Sequence, residues 1–282
     1  MKKGLVLEGG AMRGMFSAGV MDVLMENNIE FDGIAGVSAG AVFGCNYKSK
    51  QIGRTIRYNI KYIKDPRYCS LRSLVKTGDL FGRDFCYNQI PNKLDPFDND
   101  TFINNPVEFY VVTTDINSGK AVYKNISSAD KNGLEYMRAS ASMPLVSKPV
   151  EIDGKKMLDG GISDSVPLKF FVNKGYKKNL VILTQPKGYV KKKNSLIPLM
   201  KISLRKYPKL IEAMANRHIL YNEQVKYTEE ALKNGSAFII RPSEKLPIGR
   251  LEKNPETLKK VYDLGRHEAL KNLDKIKEYL NI

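Results

Sequence analysis

The sequence predicts an α/β protein in which helical layers cover both faces of a mostly parallel central sheet, with a helical C-terminal extension. Two observations indicate this class. Short apolar runs alternate with amphipathic helical segments through most of the chain, which is typical of parallel βαβ units. Glycine-rich turns follow the first two apolar runs, as expected where a strand leads directly into a helix. With 282 residues and no internal repeat, the chain is expected to form one main domain.

The first fifty residues predict a compact βαβ unit. Residues 4–7 are apolar and end in glycines, and residues 14–26 carry apolar side chains at helical spacing. Residues 34–37 predict a second buried strand, followed by a helix over residues 39–47. Because the unit is short, its two strands are expected to be parallel neighbours in the sheet.

The middle of the chain is less regular. Residues 48–105 are basic, contain several tyrosines and are interrupted by prolines, which predicts a cap or lid insertion. Two hairpins and a helix are predicted after it, with strands at 108–114 and 120–124, a helix at 133–140, and a hairpin at 150–158 that turns at Asp153-Gly154.

The remaining segments predict two strands and two long helices, at 179–184, 237–241, 211–234 and 255–280. We therefore expect residues 1–190 to form a catalytic domain that includes the insertion. Residues 191–282 are expected to form a basic, mainly helical region packed on the same domain.

The formal net charge of +16 favours anionic partners such as acidic phospholipid surfaces. Residues 187–209 contain eight basic residues and no acidic one, and they are interleaved with six apolar residues, Leu196, Ile197, Leu199, Met200, Ile202 and Leu204. This mixture is typical of a segment that rests on an anionic membrane, although solvated charged faces give similar runs. No stretch of about 18 apolar residues is present, so any membrane contact is expected to be peripheral.

The location expected from the sequence is cytoplasmic, with peripheral contact at the inner face of the membrane as an additional expectation. The apolar run near the N-terminus is too short for an export signal. The chain has three cysteines with no Cys-x-x-Cys spacing, namely Cys45, Cys69 and Cys86. An odd number without metal-binding spacing fits a reducing compartment.

A serine lies at the second strand-to-helix turn, in the sequence Gly36-Val37-Ser38-Ala39-Gly40. This matches the Gly-x-Ser-x-Gly elbow, in which a strained turn lifts a nucleophilic hydroxyl clear of the sheet. The glycines let the turn approach its neighbours, and the N-terminus of the following helix favours negative charge. The alternative is a serine that only caps a helix in a glycine-rich turn.

The first strand is followed by the glycine-rich sequence Glu8-Gly9-Gly10-Ala11-Met12-Arg13-Gly14. In a parallel sheet this loop and the serine turn emerge at the same edge. Backbone N–H groups in such a loop can stabilise the oxyanion of a tetrahedral intermediate. The alternative is a dinucleotide loop, but its acidic residue would be Asp32, which precedes the second strand instead of following it.

Asp159 is the candidate base, since it follows a predicted strand and precedes Gly160-Gly161. A turn aspartate with no catalytic role is the alternative. The only histidines, His218 and His267, lie in polar helical patterns and are expected to face solvent. Without a histidine, a carboxylate must accept the serine proton, which requires desolvation that raises its basicity.

These three elements, taken in order, resemble the patatin-like phospholipase family over about residues 4–185. The segments Ala139-Ser140-Ala141-Ser142-Met143-Pro144 and Asp164-Ser165-Val166-Pro167 resemble stretches that flank the aspartate in that family. The family typically has Asp at position 8 and Gly at position 11, where this chain has Glu8 and Ala11.

The resemblance implies a three-layer patatin-like fold and a calcium-independent lipid acyl hydrolase of the phospholipase A or carboxylesterase type. Ser38 and Asp159 would form a catalytic dyad. The oxyanion and substrate-binding loop would comprise Gly9, Gly10, Ala11, Arg13 and Gly14, with the N–H groups of Gly10 and Ala11 as donors and Arg13 as a support. Gly36 and Gly40 would shape the elbow.

The expected partner is a phospholipid or another acyl ester, with no cofactor, no metal and no nucleic acid; the sequence predicts no oligomeric state. Two alternative functions stay open. An acyltransferase would use the same dyad, and a non-catalytic protein could bind anionic lipid through its basic surface.

Overall fold

The computed structural model describes all 282 residues and contains one sheet of eight strands. The strands are β1 (Lys3–Leu7), β2 (Gly33–Val37), β3 (Glu108–Asp115), β4 (Ala121–Asn125), β5 (Val150–Ile152), β6 (Lys155–Asp159), β7 (Lys178–Ile182) and β8 (Ala237–Ile240). Their order is β5-β6-β3-β2-β1-β7-β8, and β4 also pairs with β3.

Eleven α-helices surround the sheet. They are α1 (Gly14–Glu26), α2 (Ala39–Lys48), α3 (Arg54–Tyr62), α4 (Leu71–Thr77), α5 (Asn99–Asn104), α6 (Lys131–Ser140), α7 (Leu168–Asn173), α8 (Ile197–Ser203), α9 (Pro208–Lys233), α10 (Pro255–Lys271) and α11 (Leu273–Leu280). A π-helix spans Phe85–Leu94, and short 3-10 turns occur at Ala11–Arg13 and Gly160–Ile162. No helix combines the length and apolar character needed to cross a bilayer.

The centre of the sheet is parallel and one side is antiparallel. Strand β1 pairs in parallel with both β2 and β7, and β2 pairs in parallel with β3. The predicted parallel βαβ unit is therefore confirmed. Strand β4 runs antiparallel to β3 because a short turn joins the two strands. Strand β6, which forms a hairpin with β5, also runs antiparallel to β3.

Both faces of the sheet are covered by helices, as the three-layer prediction requires. Alternate residues of a strand point to opposite faces. Thus Leu5 and Leu7 join a large core with α1, α2 and α10, whereas Val6 joins a second core with α7 and α9. All three side chains are completely buried.

The C-terminal region is built into the same fold. Its strand β8 extends the sheet by pairing in parallel with β7, and α10 packs closely against α1. A Cβ atom on Gly19 would lie 2.0 Å from the carbonyl oxygen of Tyr262, and one on Gly265 would lie 2.0 Å from that of Phe16. The absence of these side chains lets the two helix backbones touch.

The prediction of one helix over 255–280 is wrong in detail. The chain forms α10 and α11, separated at Asn272, whose backbone leaves the helical region (φ −106°, ψ 6°). The break lets Ile276 and Leu280 turn into the core formed with α1 and α10. The insertion at 48–105 folds into four helical segments beside α2.

Candidate active site

Ser38 occupies a strained turn between β2 and α2. Its backbone has φ 54° and ψ −121°, a conformation that residues with side chains rarely adopt. The turn places the side chain at the N-terminus of α2, where the helix dipole favours negative charge. The half-buried Ser38 side chain lines a large pocket.

Both glycines of the elbow are required by close backbone contacts. A Cβ atom on Gly36 would lie 2.5 Å from the carbonyl oxygen of Gly40. A Cβ atom on Gly40 would lie 2.6 Å from the carbonyl oxygen of Leu7. The sequence pattern around Ser38 is therefore explained by the packing of the turn against β1.

A second serine holds the elbow in place. The Ser38 N–H donates to Ser140 Oγ at 2.8 Å, and Ser140 Oγ donates to the Val112 carbonyl at 2.6 Å. Ser140 is completely buried at the end of α6. It belongs to a segment with family resemblance, but its supporting role could not be read from that pattern.

The glycine-rich loop after β1 lies directly against the elbow. A Cβ atom on Gly9 would lie 3.1 Å from Ser38 Cβ, and one on Gly14 would lie 2.8 Å from the Phe43 ring. Ala11 has φ 49°, so it adopts a left-handed conformation at the position where the family usually has glycine. The methyl group of Ala11 does not prevent the loop from forming.

Two N–H groups of this loop are free to bind a ligand. Neither the Gly10 N–H nor the Ala11 N–H donates a hydrogen bond to another group of the protein. Ala11, Met12 and Ser38 line the same pocket. These donors can therefore approach an oxygen of a molecule bound beside Ser38.

The structure argues against the dinucleotide alternative. Asp32 accepts a hydrogen bond from the Lys3 N–H at 2.6 Å, where β1 begins. It thus lies at the amino edge of the sheet, whereas the glycine-rich loop follows the carboxyl end of β1. A ribose could not contact both.

Strand register brings Asp159 to the carboxyl edge beside Ser38, 121 positions away in sequence. Val37 pairs with Val112 across β2 and β3, and the next residue of β3, Thr113, pairs with Asp159 of β6. The Ser38 hydroxyl is close enough to lower the pKa of Asp159, but no well-aligned hydrogen bond joins them. Such contacts are often loose before a substrate binds.

Burial has the largest influence on the pKa of Asp159. The side chain is only 3% exposed, and desolvation raises its pKa above the ordinary value. The positive charge of Arg217, the Ser38 hydroxyl and the Gly161 N–H each act in the opposite direction. The Gly161 N–H donates to Asp159 Oδ1 at 2.7 Å, which fixes the carboxylate. A buried but supported carboxylate of this kind is suited to accept a proton.

Glu8 links the glycine-rich loop to the C-terminal region. Its buried carboxylate accepts hydrogen bonds from the Thr184 N–H and from the Tyr221 hydroxyl, the latter at 2.8 Å. Glu8 also counteracts the effect of burial on Arg13, whose pKa is lowered by desolvation. The departure from aspartate at position 8 therefore coincides with a contact to α9.

One histidine prediction is confirmed and the other is wrong. His267 is exposed, as expected. His218 is half-buried, and its Nδ1 atom is buried without a hydrogen-bond partner, because α9 lies against the sheet and does not stand free in solvent. No hydrogen bond joins either histidine to Ser38 or Asp159.

Sequence reasoning also missed Arg217, which lies in a pattern interpreted as polar helix surface. The side chain is half-buried, and its Nε donates to the Gly161 carbonyl. No motif marks this residue. Its position next to the Asp159 turn results only from the packing of α9 on the sheet.

The pocket beside Ser38 is mainly apolar, since 19 of its 26 lining residues are hydrophobic. Its walls come from α2, α6 and the 48–105 insertion, and they include Val42, Phe43, Tyr58, Tyr87, Phe97 and Met137. Two lining cations are paired, Arg54 with Asp95 at 3.4 Å and Arg138 with Asp79 at 3.7 Å. The pocket can therefore accommodate a hydrophobic chain.

The fold and this site define an α/β protein with a serine in a strained strand-to-helix turn and a glycine-rich loop at the same edge of the sheet. The chain belongs to the patatin-like phospholipase family, whose profile matches residues 5–172. The family expected from the sequence and its fold are thereby confirmed. A domain of unknown function, DUF6363, matches residues 207–281.

Several curated proteins are similar to this chain. An uncharacterized protein of Escherichia coli K12, YjjU, is 30% identical over 199 residues, which are 64% of this chain and 52% of that protein. An uncharacterized NTE family protein of Mycobacterium tuberculosis H37Rv is 26% identical, over 58% of this chain and 44% of that protein. Lysophospholipase nte1 of Aspergillus niger is 28% identical, over 58% of this chain and 10% of that protein.

The chain thus matches about half the length of the first two relatives and a tenth of the fungal enzyme. Among solved structures, the crystal structure of VipD from Legionella pneumophila aligns with this chain. The alignment covers 97% of this chain and 67% of the VipD chain, with 13% sequence identity and a TM-score of 0.47.

Proposed function

We propose that this protein is a serine-dependent lipid acyl hydrolase, of the phospholipase A or carboxylesterase type, that uses Ser38 and Asp159 as a catalytic dyad. The observation that carries the proposal is the register of β2, β3 and β6, which brings a buried carboxylate to the elbow serine. The name of the fungal relative, a lysophospholipase, supports a lipid ester as the substrate class.

In the first half of the reaction, Ser38 Oγ attacks the acyl carbonyl carbon while Asp159 accepts the hydroxyl proton. The carbonyl oxygen becomes an oxyanion near the free N–H groups of Gly10 and Ala11. Asp159 then gives the proton to the departing alcohol, and the acyl group remains on Ser38. In the second half, Asp159 accepts a proton from water as the water oxygen attacks the acyl-serine. Asp159 then returns this proton to Ser38 Oγ as the acyl–oxygen bond breaks and the acid leaves.

The absence of a histidine at the dyad is compensated by the surroundings of Asp159. An exposed aspartate is a weak base, but desolvation raises the pKa of Asp159 and so increases its basicity. The apolar pocket excludes water from the reacting groups and provides a surface for the acyl chain.

An active-site-directed fluorophosphonate is expected to label the folded protein at Ser38 and at no other serine. The reagent reacts with activated serines, and only Ser38 combines a strained turn, a nearby buried carboxylate and free loop donors. Peptide mass spectrometry locates the label. Heat-denatured protein serves as the control. Folded protein without label would instead favour the non-catalytic alternative.

We also propose that α8 rests on anionic membranes. Its buried side, formed by Ile197 and Met200, faces α9, whereas Leu199 and Ile202 are 52% and 75% exposed. Exposed lysines on both sides of the helix, Lys192, Lys193, Lys201 and Lys206, add positive charge. Apolar side chains surrounded by cations are typical of helices that bind anionic lipid interfaces.

The double substitution Leu199→Ser/Ile202→Ser is expected to weaken binding to vesicles that contain anionic lipid by about tenfold or more, because each apolar side chain contributes about 1.5–3 kcal/mol when fully buried. Vesicle sedimentation measures the effect. Leu270→Ser is the matched control, since Leu270 is 53% exposed on α10 at the opposite face of the sheet. Equal losses in both variants would contradict the proposal.

A further inference from the structure

Four cations surround the carboxyl edge of the sheet near Ser38 and Asp159. They are Arg13 of the glycine-rich loop, Lys191 of the segment before α8, Arg217 of α9 and Arg250 of the loop before α10. Three of the four belong to the C-terminal region. None of them forms a salt bridge. By contrast, Arg54 and Arg138, which line the apolar pocket beside Ser38, are paired with aspartates.

Contacts between side chains define the positions of Arg217 and Lys191. A methyl group on Gly161 would lie 3.0 Å from Asp159 Oδ1 and 3.1 Å from a terminal nitrogen of Arg217, so both residues border one small space. Lys191 Nζ lies 4.1 Å from the centre of the Tyr221 ring, which is one helical turn from Arg217. The Tyr221 hydroxyl in turn contacts Glu8 at the start of the glycine-rich loop.

Arg250 lies in the loop between β8 and α10. Its neighbour Leu251 lines the pocket together with Ser38, so this loop lies at the pocket entrance. The positive charge of Arg250 lowers the pKa of Arg13, Lys191 and Arg217, which indicates that the four cations share one region. Only Glu8 and Asp159 supply opposite charge to them there, and Glu8 is already hydrogen-bonded.

An unpaired cation that is partly removed from water costs free energy unless an anion compensates it. Arg13, Lys191 and Arg217 are all half-buried, and Arg13 Nε is buried without a hydrogen-bond partner. Arginine guanidinium groups bind phosphate oxygens through paired, charge-assisted hydrogen bonds. The arrangement therefore fits a phosphate group better than a neutral polar group.

We propose that the C-terminal region completes the active site with a phosphate-binding subsite, in which Arg217, Arg250 and Lys191 join Arg13 to hold an anionic phosphate close to the scissile ester. The inference rests on the proposed function and narrows its substrate class to phosphate-bearing acyl esters. It also assigns a role to residues 207–281, the segment matched by a domain of unknown function.

The test compares two esters with the same acyl chain, 1-octanoylglycerol 3-phosphate and 1-octanoylglycerol, by the release of octanoate. The wild-type value of kcat/KM should be about tenfold or more higher for the phosphate ester. Arg250→Gln and Arg217→Gln should each lower the ratio of the two values by about tenfold. Because a ratio is measured, a general loss of catalysis through Asp159 cancels.

Arg217→Lys, which keeps the charge, should restore part of the ratio, and Lys226→Gln is the matched control. Lys226 is exposed on α9, the helix that carries Arg217, so its removal changes the net charge equally without touching the subsite. An unchanged ratio in both Gln variants overturns the proposal. Arg250 is exposed, so Arg250→Gln keeps the test valid if the α9 variant fails to fold.

Failure of the proposed function gives a different result. If neither ester is hydrolysed, the hydrolase proposal is wrong, and calorimetric binding of the phosphate ester to wild type and Arg250→Gln still tests the subsite. If inorganic phosphate binds through Arg250 while the ratio of the two esters stays at one, the ligand is a free ion and not a lipid head group, which overturns the assignment of substrate.

A pH series adds a readout that a structural role would not produce. Burial, with the charges of Arg217, Arg250 and Arg13, lowers the pKa of Lys191 to about 7, and Glu8 acts in the opposite direction. A bound phosphodiester favours protonated Lys191, so inhibition by sn-glycero-3-phosphoglycerol should weaken as the pH rises above 7. Lys191→Gln should flatten this dependence; an equally steep dependence in that variant removes Lys191 from the subsite.

Discussion

Ser38→Ala is expected to lower kcat/KM for acyl esters by about 10⁴-fold or more, because no acyl-enzyme can form without the nucleophile. The substitution keeps Cβ and removes only the hydroxyl, so the turn and its hydrogen bond to Ser140 should persist. An ester panel of graded chain length measures the loss, and thermal unfolding checks that the fold is retained.

Ser17→Ala is a suitable control for this substitution. Ser17 is completely buried in α1, and its hydroxyl has no hydrogen-bond partner. Activity in the control together with full loss in Ser38→Ala supports the assignment. If Ser38→Ala kept wild-type turnover across the panel, the elbow serine would not be the nucleophile.

Asp159→Asn is expected to lower kcat by about 10²- to 10⁴-fold, since an amide cannot accept the serine proton. The Asn side-chain oxygen can still accept the hydrogen bond from the Gly161 N–H, so the local turn should remain. Steady-state kinetics on a short-chain ester measures the effect.

The pKa of Asp159 also predicts how activity and stability change with pH. Because burial raises this pKa, the base becomes protonated as the pH falls through the raised value, and kcat/KM of the wild type should fall with it. The folded protein binds this proton more tightly than the unfolded chain, so the ionised carboxylate destabilises the fold at neutral pH. The activity that remains in Asp159→Asn should therefore not fall with pH in this way. The variant should unfold at the same temperature as the wild type or at a higher one.

Asp164→Asn is the matched control for the base. Asp164 is also buried, and desolvation raises its pKa to about 6, but its carboxylate accepts a hydrogen bond from Tyr123. Loss of activity in Asp164→Asn with activity retained in Asp159→Asn would reject the dyad. Loss in His218→Ala would point to a histidine in the reaction.

The fold was predictable from the sequence because its central elements are local. An apolar strand, a glycine-rich turn and an amphipathic helix can each be recognised within about twenty residues, and β1, β2, α1 and α2 all follow this pattern. The elbow glycines could also be recognised from the Gly-x-Ser-x-Gly pattern. The pattern is local because close backbone contacts at Gly36 and Gly40 exclude any side chain.

The C-terminal contributions to the site could not be predicted. Arg217 and Tyr221 lie on a helix with polar and apolar residues mixed around it, and neither is part of a short motif. Their role depends on how α9 packs on the sheet, which is a long-range property. His218 was misjudged for the same reason, because a helical pattern does not reveal which face is covered.

The contact between α1 and α10 has an evolutionary consequence. Gly19 lies in the segment matched by the patatin-like profile and Gly265 in the segment of unknown function, yet each leaves room for the backbone of the other helix. If the C-terminal segment were joined to the patatin-like segment of a relative, α10 could pack this closely only where the relative has a glycine at the position of Gly19. The two segments are therefore expected to be inherited together, not exchanged as separate modules.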